Sequence, residues 1–338
     1  MTGFSQTSRV RPLALRPGDA VGIIAPASGF RRDEFEAGCA ELQRLGYKPF
    51  YRPSIFDRDA YFAGSTQRRV DEFHEMFARP EVKAVLCARG GYGCNYLLPH
   101  IDLNLVRGNP KIFAGCSDVT ALLTYLCDAA GLVTFHTPMV AGDFARPGGF
   151  VESSWIDAVS QGEAEMNFRS EEVTPLTPGS AEGTLYGGCL SLLCASLGTP
   201  YEIRTPGTIL FIEDRAERPY RIDRMLMQLK LAGKFEGVRG IIFGEMVDCD
   251  EPGGNGPTLQ EIIVRILGDL RIPLAFGLKS GHVSAGTLTL PIGVEAKLSV
   301  STTVTVSYEG AVQPDPAAMT SGVAPVGTAR ETLIKPQF

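Results

Sequence analysis

Between residues 20 and 130 the chain repeats one pattern: a short apolar run, a turn carrying glycine or proline, then an amphipathic stretch with helical spacing. Strands are expected at 20–25, 47–51, 82–88 and 112–115, and helices at 33–45, 66–77 and 120–130. Few folds accommodate such alternation. A helix that carries the chain back across the sheet makes the next strand parallel to the last, so the pattern predicts a doubly wound parallel sheet with helices on both faces. Ligands of such sheets gather at the carboxyl ends of the strands. Ser28, the turn Arg89-Gly90-Gly91 and Ser117 all fall at those ends.

From about residue 144 to 180 hydrophobic periodicity fades into Gly, Pro, Ser and Glu. We divide the chain there, with an N-terminal domain over 1–150, a linker over 151–180, a C-terminal domain over 181–310 and a tail over 311–338. The second half has strands near 209–212 and 240–244, helices near 220–231 and 258–270, and short alternating segments at 287–290 and 298–306 that suggest antiparallel pairing. The expected class is α/β: a parallel-sheet domain, a mixed α/β domain with antiparallel strands, and an active site at their interface.

A length of 338 residues suits two cores better than one. The net charge of −6 argues against a nucleic-acid partner, because phosphate binding needs a basic excess. No apolar stretch reaches the roughly 20 residues of a membrane helix, and residues 1–16 lack an apolar signal core, so a cytoplasmic protein is expected. Eight cysteines form no C-x-x-C pair, which suits reduced, buried thiols. The four histidines, His74, His100, His136 and His282, show no metal-ligand spacing, and neither a metal nor a cofactor is expected.

Chemistry concentrates at three places. In Ile112-Phe113-Ala114-Gly115-Cys116-Ser117-Asp118, a buried-strand pattern breaks at glycine and a helix opens just after Ser117. Such a turn lifts a hydroxyl out of the backbone and turns the next N–H toward whatever it attacks. Glu213 ends the apolar run 209–212, and His282 follows Gly281 in a turn. Together they are the parts of an acyl-transfer triad, which occurs in several chain orders. Taken singly, Ser117 serves equally as a helix N-cap, Glu213 as a solvated strand end, and His282 as a structural histidine. Cys116 is an alternative nucleophile, although a side chain one place before the elbow should point elsewhere.

Arg89-Gly90-Gly91-Tyr92-Gly93, Gly115-Cys116-Ser117-Asp118, Leu185-Tyr186-Gly187-Gly188, Ile212-Glu213-Asp214 and Gly281-His282, in that order, resemble the serine LD-carboxypeptidase family, of which murein tetrapeptide carboxypeptidases are the best-known members. The resemblance runs from about residue 19 to 305. It implies a peptidase that removes the terminal D-alanine from the L,D-bonded tetrapeptide of peptidoglycan fragments during cytoplasmic recycling, with a muropeptide as substrate and a homodimer as the assembly. It further implies Ser117 as nucleophile, His282 as general base, Glu213 as its orienting carboxylate, and backbone amides of Asp118 and the Gly90-Gly91 turn as oxyanion donors. Arg89, Tyr92, Tyr186 and Gly187 are the expected substrate contacts. The chain departs from the family pattern at Cys116, Cys189 and Tyr186.

The same family includes immunity peptidases that cleave peptidyl-nucleotide antibiotics of the microcin C type. An aromatic side chain able to stack on a purine would favour that reading, and Trp155, Tyr186 and Tyr201 are its candidates. A third reading, a small-molecule sensor with 89–93 as an anion-binding turn, is weakened by glycine spacing that matches neither a P-loop nor a dinucleotide fingerprint.

Overall fold

The computed structural model describes residues 9–251, 253 and 256–314. The first half supplies strands β1 (Ala20–Ile24), β2 (Lys48–Phe50), β3 (Val82–Cys87), β4 (Ile112–Gly115) and β5 (Thr134–His136). The second supplies β6 (Ala164–Arg169), β7 (Thr174–Thr177), β8 (Gly179–Cys189), β9 (Thr208–Glu213), β10 (Gly240–Gly244), β11 (Leu274–Leu278), β12 (Leu290–Ile292), β13 (Glu295–Val300) and β14 (Thr303–Tyr308). Two sheets result, both in the α/β class.

The first sheet runs β12-β5-β4-β3-β1-β2. Its five N-terminal strands are parallel, and strand order reverses between β1 and β3, the switch point at which such sheets open a crevice. The turns carrying Ser28 and Arg89-Gly90-Gly91 flank that crevice. On one face Phe73 and Phe77 of the helix Thr66–Ala78 pack against Phe113 of β4. That helix starts where Ser65 accepts a hydrogen bond from Arg68 N at 3.2 Å, which satisfies one of the donors a helix start leaves free.

The second sheet runs β6-β14-β13-β8-β9-β10-β11-β7. Its centre, β8 to β11, is parallel, and every residue of β9 and β10 is buried, as strands covered on both faces require. Ile222, Leu226 and Leu229 recur at helical spacing on the buried face of Pro219–Leu231. The helix Leu259–Leu267 opens with a capping box in which Thr258 and Glu261 satisfy each other's backbone N–H. No helix among the described residues is long and apolar enough to cross a membrane.

Three expectations change. Residues 151–180 are no plain linker: they carry the helix Glu152–Ile156 and the strands β6 and β7, which form the two edges of the second sheet. Ala164, Met166 and Phe168 alternate with Glu165, Asn167 and Arg169, so the period-two pattern was present but mixed with charge. Residues 311–314 are no tail either, since Ala311 and Val312 are buried and Gln313 N donates to Pro12 O at 2.7 Å; the rest of the expected tail lies outside the described residues. Finally, β12 comes from the C-terminal half yet completes the first sheet, antiparallel to β5 with Leu290 opposite His136.

Candidate active site

Ser117 sits at the carboxyl end of β4 with φ +61°, a left-handed conformation that side chains seldom adopt. From Lys111 to Thr120 it is the one residue that is not buried, because the sharp turn lifts it clear of the packed strand. A Cβ placed on Gly90 would lie 2.8 Å from Ser117 Cβ, 3.1 Å from its Oγ and 3.3 Å from the backbone N of Asp118. Only glycine permits that approach. Gly91, at φ +98°, turns the chain beside Ser28, whose Oγ accepts from Tyr92 N at 3.1 Å and braces the turn.

Glu213 ends β9 and is fully buried. Its Oε2 accepts from His282 Nδ1 at 2.8 Å and from His282 N at 3.0 Å. With Nδ1 committed, Nε2 is the ring nitrogen left to exchange a proton. Burial alone would push the Glu213 carboxyl up, but the adjoining His282 and His136 outweigh it and hold it well below the ordinary carboxylate range. Burial likewise pushes the His282 imidazole down, and the charge and hydrogen bond of Glu213 reverse this, leaving it above 6.5. Glycines make the room: a Cβ on Gly281 would stand 2.7 Å from Glu213 Cδ, and one on Gly244 2.6 Å from Glu213 Cβ.

Two routes connect the serine elbow to this pair. Thr120, three residues after Ser117, accepts at Oγ1 from Cys189 N at 3.1 Å, and Cys189 lies opposite Glu213 in the β8–β9 ladder. Gly115 of β4 pairs with His136 of β5, whose Nε2 is 3.7 Å from Glu213 Oε1. Among the described residues no hydrogen bond joins Ser117 Oγ directly to His282. A hydroxyl on a strained turn and an imidazole oriented by a buried carboxylate are parts of the equipment of acyl transfer.

The remaining expected residues lie as follows. Asp118 is buried, and its carboxylate accepts from Cys94 N at 2.8 Å. Arg89 is exposed and donates to Gly29 O at 2.9 Å. Tyr92 is exposed within an aromatic group formed with Tyr61, Phe62 and Tyr96. Gly187 is buried, and a Cβ there would strike Phe211 O at 2.0 Å, so it serves strand packing. Tyr186 departs from its expected place on the pocket wall: its ring is fully enclosed and its hydroxyl donates to Asp128 Oδ2 at 2.6 Å. Trp155 is also fully buried, against Tyr47 and Phe144, and Tyr201 packs edge-on against Tyr125. Cys116 is buried, and burial, reinforced by the charges of Asp143 and Glu213, pushes its thiol far up, which removes it as an alternative nucleophile.

Sequence reasoning passed over His136, Ser280 and Asp143. His136 reads as one more histidine after an apolar stretch, and only the pairing of β5 with β4 brings it to the site. Asp143 is buried, accepts from Met139 N at 3.2 Å and Arg146 at 2.8 Å, and lies within electrostatic reach of His282.

Comparison with known proteins identifies the family. Residues 21–137 match the LD-carboxypeptidase N-terminal domain and residues 182–298 its C-terminal domain. The probable murein peptide carboxypeptidase of Bacillus subtilis is 40% identical over 299 residues, covering 86% of this chain and 92% of its own. The microcin C7 self-immunity protein MccF of Escherichia coli is 30% identical, with 84% and 91% covered. A solved structure of MccF in complex with glutamyl sulfamoyl guanosine has a TM-score of 0.83 at 26% identity, covering 90% of this chain and 99% of that one. The muramoyltetrapeptide carboxypeptidase of Oxalobacter formigenes has a TM-score of 0.79 at 28% identity, covering 87% of this chain and 100% of that one.

Proposed function

The chain belongs to the LD-carboxypeptidase family, and from that premise we propose that it is a serine peptidase releasing terminal D-alanine from L,D-bonded murein tetrapeptides in the cytoplasm. The observation that carries the reading is the Glu213–His282 pair, a buried carboxylate that fixes one imidazole tautomer, together with a serine on a strained strand-end turn.

In the proposed reaction Ser117 Oγ attacks the carbonyl carbon of the diamino acid while His282 Nε2 takes its proton. The hydroxyl and imidazole close to hydrogen-bond distance when substrate fills the cleft, as such contacts commonly do. The backbone N–H of Asp118 and the Gly90-Gly91 turn receive the developing oxyanion, and an oxyanion donor of this kind is typically worth about 10²–10³ in rate. His282 then protonates the amine of D-alanine, the C–N bond breaks, and water releases the acyl-enzyme with the roles reversed. Glu213 stabilises the imidazolium throughout without taking its proton.

A second reading, cleavage of a peptidyl-nucleotide, is favoured by the likeness to MccF. Burial of Trp155 and Tyr186 removes two of the three aromatics proposed to stack on a purine, which supports the tetrapeptide. The deciding assay measures D-alanine release from a murein tetrapeptide by wild type and Ser117→Ala, beside a peptidyl-adenylate analogue. Release lost in the variant supports the carboxypeptidase, cleavage of the analogue alone supports the second reading, and inertness toward both refutes each.

A further inference from the structure

His136 ends β5, beside Gly115 of the nucleophile's strand, and is fully enclosed. Its ring reaches from the first sheet into the second half of the chain. Nδ1 lies 3.1 Å from Ser280 Oγ and Nε2 lies 3.7 Å from Glu213 Oε1, with the ring edge-on to Phe211 at 5.2 Å. The one hydrogen of Ser280 Oγ can go to Nδ1 or to Leu288 O at 3.0 Å; given to Nδ1, it leaves the ring hydrogen on Nε2. Nε2 then faces a carboxylate oxygen at 3.7 Å, and neither atom has a hydrogen-bond partner in that closed space. An N–H on Nε2 is drawn to the carboxylate, whereas a lone pair there would be repelled. Gly281 leaves the space open, since a Cβ would stand 2.7 Å from His136 Cε1.

We propose that His136 is a positioning residue for the peptidase reaction: it holds Glu213 by Oε1 so that Oε2 stays aimed at His282, and so ties the acid–base pair to the strand that carries Ser117. The proposal rests on the triad reading given above. Sequence position alone does not reveal it, because the two halves of the contact lie 77 residues apart, at 136 and 213.

The test replaces His136 by Leu and by Gln and follows two quantities. On the tetrapeptide, kcat of His136→Leu should fall about 10- to 100-fold, with KM little changed. His136→Gln, which keeps an N–H donor, should recover part of it. Independently of activity, the His282 imidazole is titrated by NMR in the whole protein. Glu213, Asp214 and Arg215 act on His282 from β9 and the turn after it, Asp143 from the loop after β5, and Glu213 in turn feels His136 and the thiols of Cys116 and Cys189. Of these only His136 changes. With it gone, the full charge of Glu213 bears on His282, and its midpoint should move to higher pH, as should the acid limb of kcat/KM. Should His136→Leu fail to fold, Ser280→Ala loosens the same ring and should move the midpoint the same way by less.

Folded variants with an unmoved His282 titration overturn the proposal, even where kcat falls, because packing alone would give that. A wild-type protein inert toward the peptide whose His282 midpoint still moves would support the positioning contact while refuting the peptidase reading.

Discussion

Glu213 Oε2 takes both the ring Nδ1–H and the backbone N–H of His282, at 2.8 and 3.0 Å. One carboxylate oxygen thus fixes the loop and the tautomer together. Glu213→Gln keeps the shape and removes the charge, and kcat should fall about 10⁴-fold, the loss seen when the acid of another serine triad is made an amide. Without the carboxylate the His282 imidazole should also titrate at lower pH. Steady-state kinetics and NMR titration of the variant check both.

The same pair separates the pH of greatest stability from the pH of activity. Glu213 is held below its ordinary 4.5, so its contribution is present above that value and is lost as pH falls through its folded pKa. His282 is held above 6.5, so its contribution is full below 6.5 and is lost as pH rises through its raised value. The pair therefore stabilises most between about 4.5 and 6.5, whereas catalysis needs neutral His282 and rises at higher pH. Urea unfolding across pH in wild type and His282→Gln should show the wild-type advantage shrinking just where kcat/KM climbs.

Strain at the nucleophile predicts a trade of activity for stability. Ser117 holds φ +61°, a conformation costing a non-glycine residue about 1 kcal/mol. Ser117→Gly should raise the unfolding free energy by about that amount and lower kcat by about 10⁴-fold or more. Chemical denaturation beside the D-alanine assay measures both.

Much of this site is legible in the sequence, because its parts are local. The run from Ile112 to Gly115 and its break before Ser117 mark the elbow without tertiary information, and the apolar run ending at Glu213 marks a buried strand end. What the sequence conceals is long-range: the pairing that carries His136 to Glu213, and the enclosure that takes Tyr186 off the pocket wall. The edge strands β6 and β7 were obscured because an edge needs only one apolar face, and Pro175 is tolerated there since no partner lies beyond it.

Tyr186→Phe distinguishes a buried anchor from a substrate contact. Its hydroxyl satisfies Asp128, whose carboxylate is held up chiefly by burial. Loss of that bond should cost about 1–3 kcal/mol, with KM for the tetrapeptide unchanged. A raised KM without a loss of stability would return Tyr186 to the pocket.

Gly281→Ala offers a steric test. Its Cβ would press on Glu213 and His136 at 2.7 Å from a φ of +84°, whereas Gly18, at φ +94°, faces open space. Gly18→Ala should cost about 1 kcal/mol of backbone strain, and Gly281→Ala should cost more and also depress kcat. Thermal unfolding and kinetics of the two variants compare them.

The short strand Leu290–Ile292 gives the second half of the chain a place in the first half's sheet. The first sheet is therefore complete only with both halves present. An N-terminal fragment would leave β5 with a bare edge, the kind of surface that recruits stray strands and aggregates. A nick near residue 147, in the exposed turn between the halves, should leave two pieces that stay clasped and melt in one transition.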